Sequence, residues 1–125
     1  MSSILDLTDF PIVRIQIDDR TLGGTQAWID EMEALLAREE PFAIISQSRT
    51  TKDSPEDEQQ RGDWYRTNDR RLAQWCKMMI YVEPDAVAHD RLQSQAAGLR
   101  QVFSFAFDVV ADDCAALDLA HRSLA

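Results

Sequence analysis

Short apolar runs alternate with amphipathic stretches four times along this chain of 125 residues. The strand-like runs are Ile12–Ile17, Phe42–Ser46, Met78–Val82 and Phe105–Val110. Helical patterns follow them at Gln26–Arg38, Pro55–Lys77, Ala86–Gln101 and Asp113–Leu124. Strands separated by helices of this length need crossover connections, and the helices then cover the sheet. The pattern predicts an α/β fold: a single domain with a four-stranded, mostly covered sheet in the order β-α-β-α-β-α-β-α.

The local chemistry sharpens each element. Ile12, Val13, Ile15 and Ile17 are β-branched, with Arg14 and Gln16 alternating among them, which suits a strand with one less buried face near a sheet edge. Asp18-Asp19 and Gly23-Gly24 make a turn, and Thr25 is placed to cap the next helix. There Trp28, Ile29, Met32, Leu35 and Leu36 fall within an arc of about 120°, with Asp30, Glu31 and Glu33 toward solvent. Pro41 ends that pattern, and the unbroken Phe42-Ala-Ile-Ile45 suits a central strand.

Ser54-Pro55-Glu56-Asp57 combines a hydroxyl cap, a proline at the first helical position and acids in the first turn. Gly62 weakens the early turns of that helix. Projected from Trp64, the residues Asn68, Leu72, Trp75 and Met79 lie within about 80°, with Arg66, Arg70 and Lys77 opposite. Glu83-Pro84-Asp85 breaks the third strand and starts a helix. Asp112 caps the last one, where Leu117, His121 and Leu124 share a face with Cys114.

A formal charge of −9 argues against nucleic acid and anionic membrane surfaces as partners. Both are negative and repel such a chain over a Debye length of roughly 8–10 Å. No apolar run approaches the roughly 18–20 residues that span a bilayer. The opening MSSILDLTDF has neither the basic nor the apolar region of a signal peptide, so a cytoplasmic location is expected. Cys76 and Cys114 share no metal-like spacing and sit among apolar neighbours, which predicts two reduced, buried thiols.

Two segments carry a family likeness. Trp64–Lys77, WYRTNDRRLAQWCK, is an arginine- and tryptophan-bearing helix ahead of the third strand. Phe107–Leu124, FDVVADDCAALDLAHRSL, closes with a strand, an acid and an alanine-rich helix. With the element order, these make the chain resemble a small bacterial STAS-like domain of the stand-alone type, the fold of the anti-sigma-factor antagonists. The family antagonists carry a phosphorylatable serine in an Asp-Ser-x-Gly context after a central strand, and that motif does not occur here. Ser48, Thr50, Thr51 and Ser54 occupy a loosely comparable loop and are what the resemblance offers as phospho-acceptors.

Candidate chemistry narrows to one segment. Trp64–Lys77 holds two of the three tryptophans and, counted with Arg61, five basic residues in an acidic chain. Tryptophan and arginine are enriched at binding hot spots, so Arg66, Arg70, Arg71, Lys77 and Trp64 are the candidate partner-binding residues. The competing reading puts both tryptophans in the core and the arginines in solvent or on Asp63 and Asp69.

His89, His121 and the two cysteines show no ligand spacing, so neither a metal nor another cofactor is expected. There is no G-x-S-x-G elbow, no Walker loop and no G-x-G-x-x-G after a strand. Gly23-Gly24 and the acid pairs Asp18-Asp19 and Asp112-Asp113 read as turn and cap residues.

The expected role is a non-catalytic regulatory or protein-interaction domain acting on an acidic partner surface or on itself. Homo-oligomers are favoured by three tryptophans in a small interior. The alternative is a small-molecule or anion site at the C-terminal ends of the strands, where open α/β sheets hold ligands. An enzyme whose site is assembled from Arg49, Ser48 or Asp85 comes third.

Overall fold

The structure, a computed structural model, describes residues 5–15, 25–47 and 55–125. Its elements are β1 (Leu5–Asp6), β2 (Ile12–Ile15), α1 (Thr25–Ala37), β3 (Phe42–Gln47), α2 (Pro55–Thr67), α3 (Asp69–Trp75), β4 (Cys76–Val82), α4 (Ala86–Val102), β5 (Phe107–Val110) and α5 (Asp113–Leu124). The five strands form one sheet in chain order, β1-β2-β3-β4-β5. β1 runs antiparallel to β2 and the other pairs are parallel.

The sheet thus has five strands, not the expected four. Leu5–Asp6 pairs with Ile15 and Arg14 and covers the side of β2 that the pattern placed near an edge. A two-residue strand is too short to show any alternation. β3 is central, as the unbroken Phe42–Ile45 run predicts.

Winding the strands in one direction puts every crossover helix on one face, because such crossovers share a hand. Val13, Phe42, Ile44, Met79, Phe107 and Val109 point to that face and pack with Trp28, Met32, Leu35, Leu36, Trp64, Leu72 and Ala96. Strand neighbours alternate to the other face, where Ile12, Ala43, Ile45, Ile80 and Val82 meet Ala116 and Ala120 of α5.

The predicted helix Pro55–Lys77 is two helices and the start of a strand. Asn68 leaves helical geometry at φ −108°, ψ 15°. Its backbone N–H and its side-chain amide both donate to Trp64 O, at 3.0 and 2.9 Å. Gly62 does not interrupt α2. Lys77 belongs to β4: Phe42 pairs with Cys76 but Ala43 with Met78, so Lys77 is the extra residue of a bulge. The bulge puts Cys76 and Met79 on the crossover-helix face and Met78 on the α5 face.

Both sheet edges are closed by side chains. On β5, Arg100 donates to Phe107 O at 2.8 Å, Gln93 donates to Val109 O at 3.0 Å, and Asp108 Oδ1 accepts from Val109 N–H at 2.8 Å. On β1, Leu5 N–H donates to Glu31 Oε1 at 3.2 Å. Occupied edge groups leave little for a foreign strand to pair with.

Cys76 is buried as expected, but Cys114 is exposed. Ala116 and Ala120 are the buried residues of α5, and Cys114 lies about 160° around the helix from Ala116. The face shared by Cys114 and His121 looks outward. The tryptophans do not demand a partner either: Trp28 and Trp64 are buried, and Trp75 is half-buried against the same core.

Candidate interaction surface

The α2–α3 junction, where the candidate residues cluster, is organised around Glu33 of α1. Trp64 Nε1 donates to Glu33 Oε1 at 3.1 Å, and Arg71 Nη1 donates to Glu33 Oε2 at 2.8 Å. Arg71 Nη1 also reaches Asn68 Oδ1 at 2.9 Å. Hydrogen bonding from Arg71 holds the Glu33 carboxyl below its usual range, with the Trp64 N–H adding to it and burial opposing. The network ties α1 to α3 and leaves the exposed Arg71 guanidinium paired within the chain.

Trp64 is only 7% exposed, edge-on to Trp28 and Tyr65 with centroids 5.2 and 5.7 Å away. That corrects its place among the partner-binding residues: the ring is core, and its N–H orients Glu33. All four candidate cations are exposed, and they differ in their partners. Arg66 pairs with Asp63 one turn earlier, with both side chains more than half exposed. Such pairs contribute about 0–1 kcal/mol and exchange partners readily. Arg70 makes no ion pair among the described residues. Lys77, pushed out by the bulge, donates to Gln74 O at 3.2 Å and makes no ion pair among the described residues.

Behind α2, the hydroxyls of Tyr65 and Tyr81 both approach Met79 Sδ, at 3.8 and 3.6 Å. Burial raises both phenols, while the nearby Arg61 guanidinium opposes it. Tyrosines on separate elements gave no sequence signal of this convergence. Asn68, by contrast, was legible as a polar residue inside an apolar stripe.

At the C-terminal ends of the strands, Asp85 and Asp112 act as helix caps. Their carboxylates accept from Ala88 N–H at 2.9 Å and Ala115 N–H at 2.7 Å. Asp113 pairs with Arg14 at 2.6 Å, which holds its carboxyl low. Asp18-Asp19, Gly23-Gly24, Ser48, Arg49, Thr50, Thr51 and Ser54 lie outside the described residues. Among the described residues no group of three or more histidines, cysteines or acids is placed to hold a metal ion, and no helix is long and apolar enough to cross a membrane. No family model, no curated protein and no solved structure matches the chain.

Proposed function

We propose that this chain is a non-catalytic regulatory domain of the bacterial cytoplasm, STAS-like in layout, that binds an acidic protein surface through Arg66, Arg70 and Lys77. The observation that carries the reading is the contrast between adjacent arginines: Arg71 is held by Glu33, whereas Arg70 stands exposed without an ion pair among the described residues. A cation left accessible in a chain of net charge −9 gives local complementarity to acids that the overall charge opposes. The layout is supported by the serial winding of β2 to β5, each parallel step made through a helix. In this reading, phosphorylation at Ser48, Thr50, Thr51 or Ser54 would add negative charge to the segment that joins β3 to α2 in sequence.

The test is capture from native lysate with identification of what is held, by the natural chain and by Arg66→Glu/Arg70→Glu. An acid-rich partner held by the natural chain, lost at high salt and lost by the double variant, supports the reading. Identical capture by both chains, with unchanged melting temperatures, refutes it.

A further inference from the structure

β5 is four residues long and lies at one edge of the sheet. Ala106 and Val110 turn their carbonyls to β4, accepting from Met79 and Glu83 N–H at 2.9 and 2.8 Å. Backbone alternation therefore turns the N–H and C=O of Phe107 and Val109 outward. An outward row of this kind is what a foreign strand pairs with. β1, at the other edge, offers only two residues.

Side chains already take three of these four outward groups. Arg100 donates to Phe107 O at 2.8 Å and Gln93 to Val109 O at 3.0 Å, both from a flank of α4 about 40–60° from the buried Ala96. Val109 N–H donates to Asp108 Oδ1 at 2.8 Å. The Arg100 guanidinium also stands 3.8 Å from that carboxylate, so one cation holds a carbonyl and the acid beside it. The Arg100 side chain is 45% exposed and that of Asp108 37%, so solvent competes for these bonds and another strand can displace them.

One register uses the whole edge. Two copies of β5, antiparallel about a two-fold axis at Asp108, set Phe107 against Val109 of the other copy twice, and each such pair exchanges two backbone hydrogen bonds. The same register sets Asp108 directly against its own copy, and like charges so placed repel. We infer that Gln93, Arg100 and Asp108 form a clamp that shuts the β5 edge against a second copy of this chain. Released, the edge takes up the other copy's β5 and joins two five-stranded sheets. The clamp is separate from the arginine surface on α2 and α3 and stands or falls without it.

Sedimentation of the full chain and its variants tests the clamp. The natural chain should form no dimer through β5, whereas Gln93→Ala/Arg100→Ala should dimerise. Adding Asp108→Thr should tighten that dimer at least about threefold, because the opposed carboxylates are gone. Adding Val109→Pro should return it to the monomer, since proline removes an outward N–H and leaves the ladder with β4 intact. In a Cys114→Ser background, Asp108→Cys should cross-link two copies on oxidation when Gln93 and Arg100 are replaced, and not when they are kept. Directly opposed residues of an antiparallel pair lie within disulfide reach.

A Gln93→Ala/Arg100→Ala chain that keeps its melting temperature and stays monomeric overturns the inference. So does a dimer of that chain that persists with Val109→Pro, because the contact then lies elsewhere. A natural-chain dimer that Val109→Pro dissolves also overturns it, because the edge is then open from the start. Should Asp108→Thr loosen the dimer, the two-fold register is wrong and the inference falls with it. If Gln93→Ala/Arg100→Ala unfolds, Gln93→Leu/Arg100→Met removes the same donors while keeping side-chain bulk, and the same outcomes decide.

Discussion

The two faces of the sheet solve the same burial problem with different materials. On the crossover-helix face, bulky rings do the filling: Trp28, Trp64, Phe42, Phe105 and Phe107 are buried, and Tyr65 is packed among them. On the other face, among the described residues, the helix α5 lies on β3, β4 and β5. Its fully buried contact residues are the alanines Ala116 and Ala120, above Ala43, Ile45, Ile80 and Val82, with Leu117, Leu119 and Leu124 half-buried around them. Small side chains let a helix approach closely, and the Arg14–Asp113 pair pins its first turn to β2. Large rings tolerate irregular gaps and reach across several elements, whereas a close helix–sheet seam has no spare volume. The two faces should therefore fail in opposite ways, one to truncation and the other to enlargement.

The largest contrast lies in thiol reactivity. Burial pushes the Cys76 thiol up to about 12, whereas Cys114 is exposed on the outer face of α5. Labelling of the native protein should give one fast thiol and one that reacts roughly 10³-fold more slowly, limited by unfolding. Two fast thiols would mean that the crossover-helix face opens easily.

Next in size is truncation of the ring cluster. Trp28→Ala should cost about 3–5 kcal/mol in denaturant unfolding, since the ring is buried and touches Trp64 and Tyr65. On the α5 face the sensitive change is the reverse one. Ala120→Leu should cost about 1–3 kcal/mol by lifting the helix from the sheet. If Ala120→Leu is neutral, the seam has unused volume and the contrast between the faces weakens.

Acid should act on both faces at once. Glu33 and Asp113 have carboxyls held low in the folded chain by Arg71 and Arg14. Each contributes stability that is fully present above its unfolded value and is lost as pH falls through the folded one. Melting temperature should accordingly decline below about pH 4.5. Glu33→Gln or Asp113→Asn should flatten that limb by a fraction of a kcal/mol each, because both pairs are partly exposed. An acid limb unchanged in both variants would place the responsible carboxylates elsewhere.

The smallest effect is at the end of α1. Glu39 follows the helix with φ 53°, in the left-handed region where a side chain is strained. Glu39→Gly should raise stability by a few tenths of a kcal/mol, read as a shift in denaturant midpoint. A loss would show that the carboxylate stabilises more than the backbone strain costs.

The sequence by itself determined the α/β class, the four parallel strands and the helices between them, because each element carries its own period and its own stop signals. Pro41, Asp85 and Asp112 stand where the chain changes element; Asp112 caps α5 as read, and Asp85, from the triplet read as the helix start, caps α4. It also marked Arg66 and Arg70 as outward-facing, since their spacing opposes the Trp64–Leu72 stripe, whereas Lys77 is exposed through the bulge of β4 and not through helical spacing.

Only the tertiary structure decided the rest, because each point depends on residues distant in the chain. β1 exists through β2. The break at Asn68 belongs to a network completed by Glu33, 35 positions earlier. The exposure of Cys114 follows from which face of α5 fits the sheet: close packing puts Ala116 and Ala120 at its centre, with Leu117 and Leu124 half-buried beside them and Cys114 and His121 outside. Likewise Arg70 and Arg71 are equivalent as letters. The position of α1 alone gives one a carboxylate partner and leaves the other to solvent.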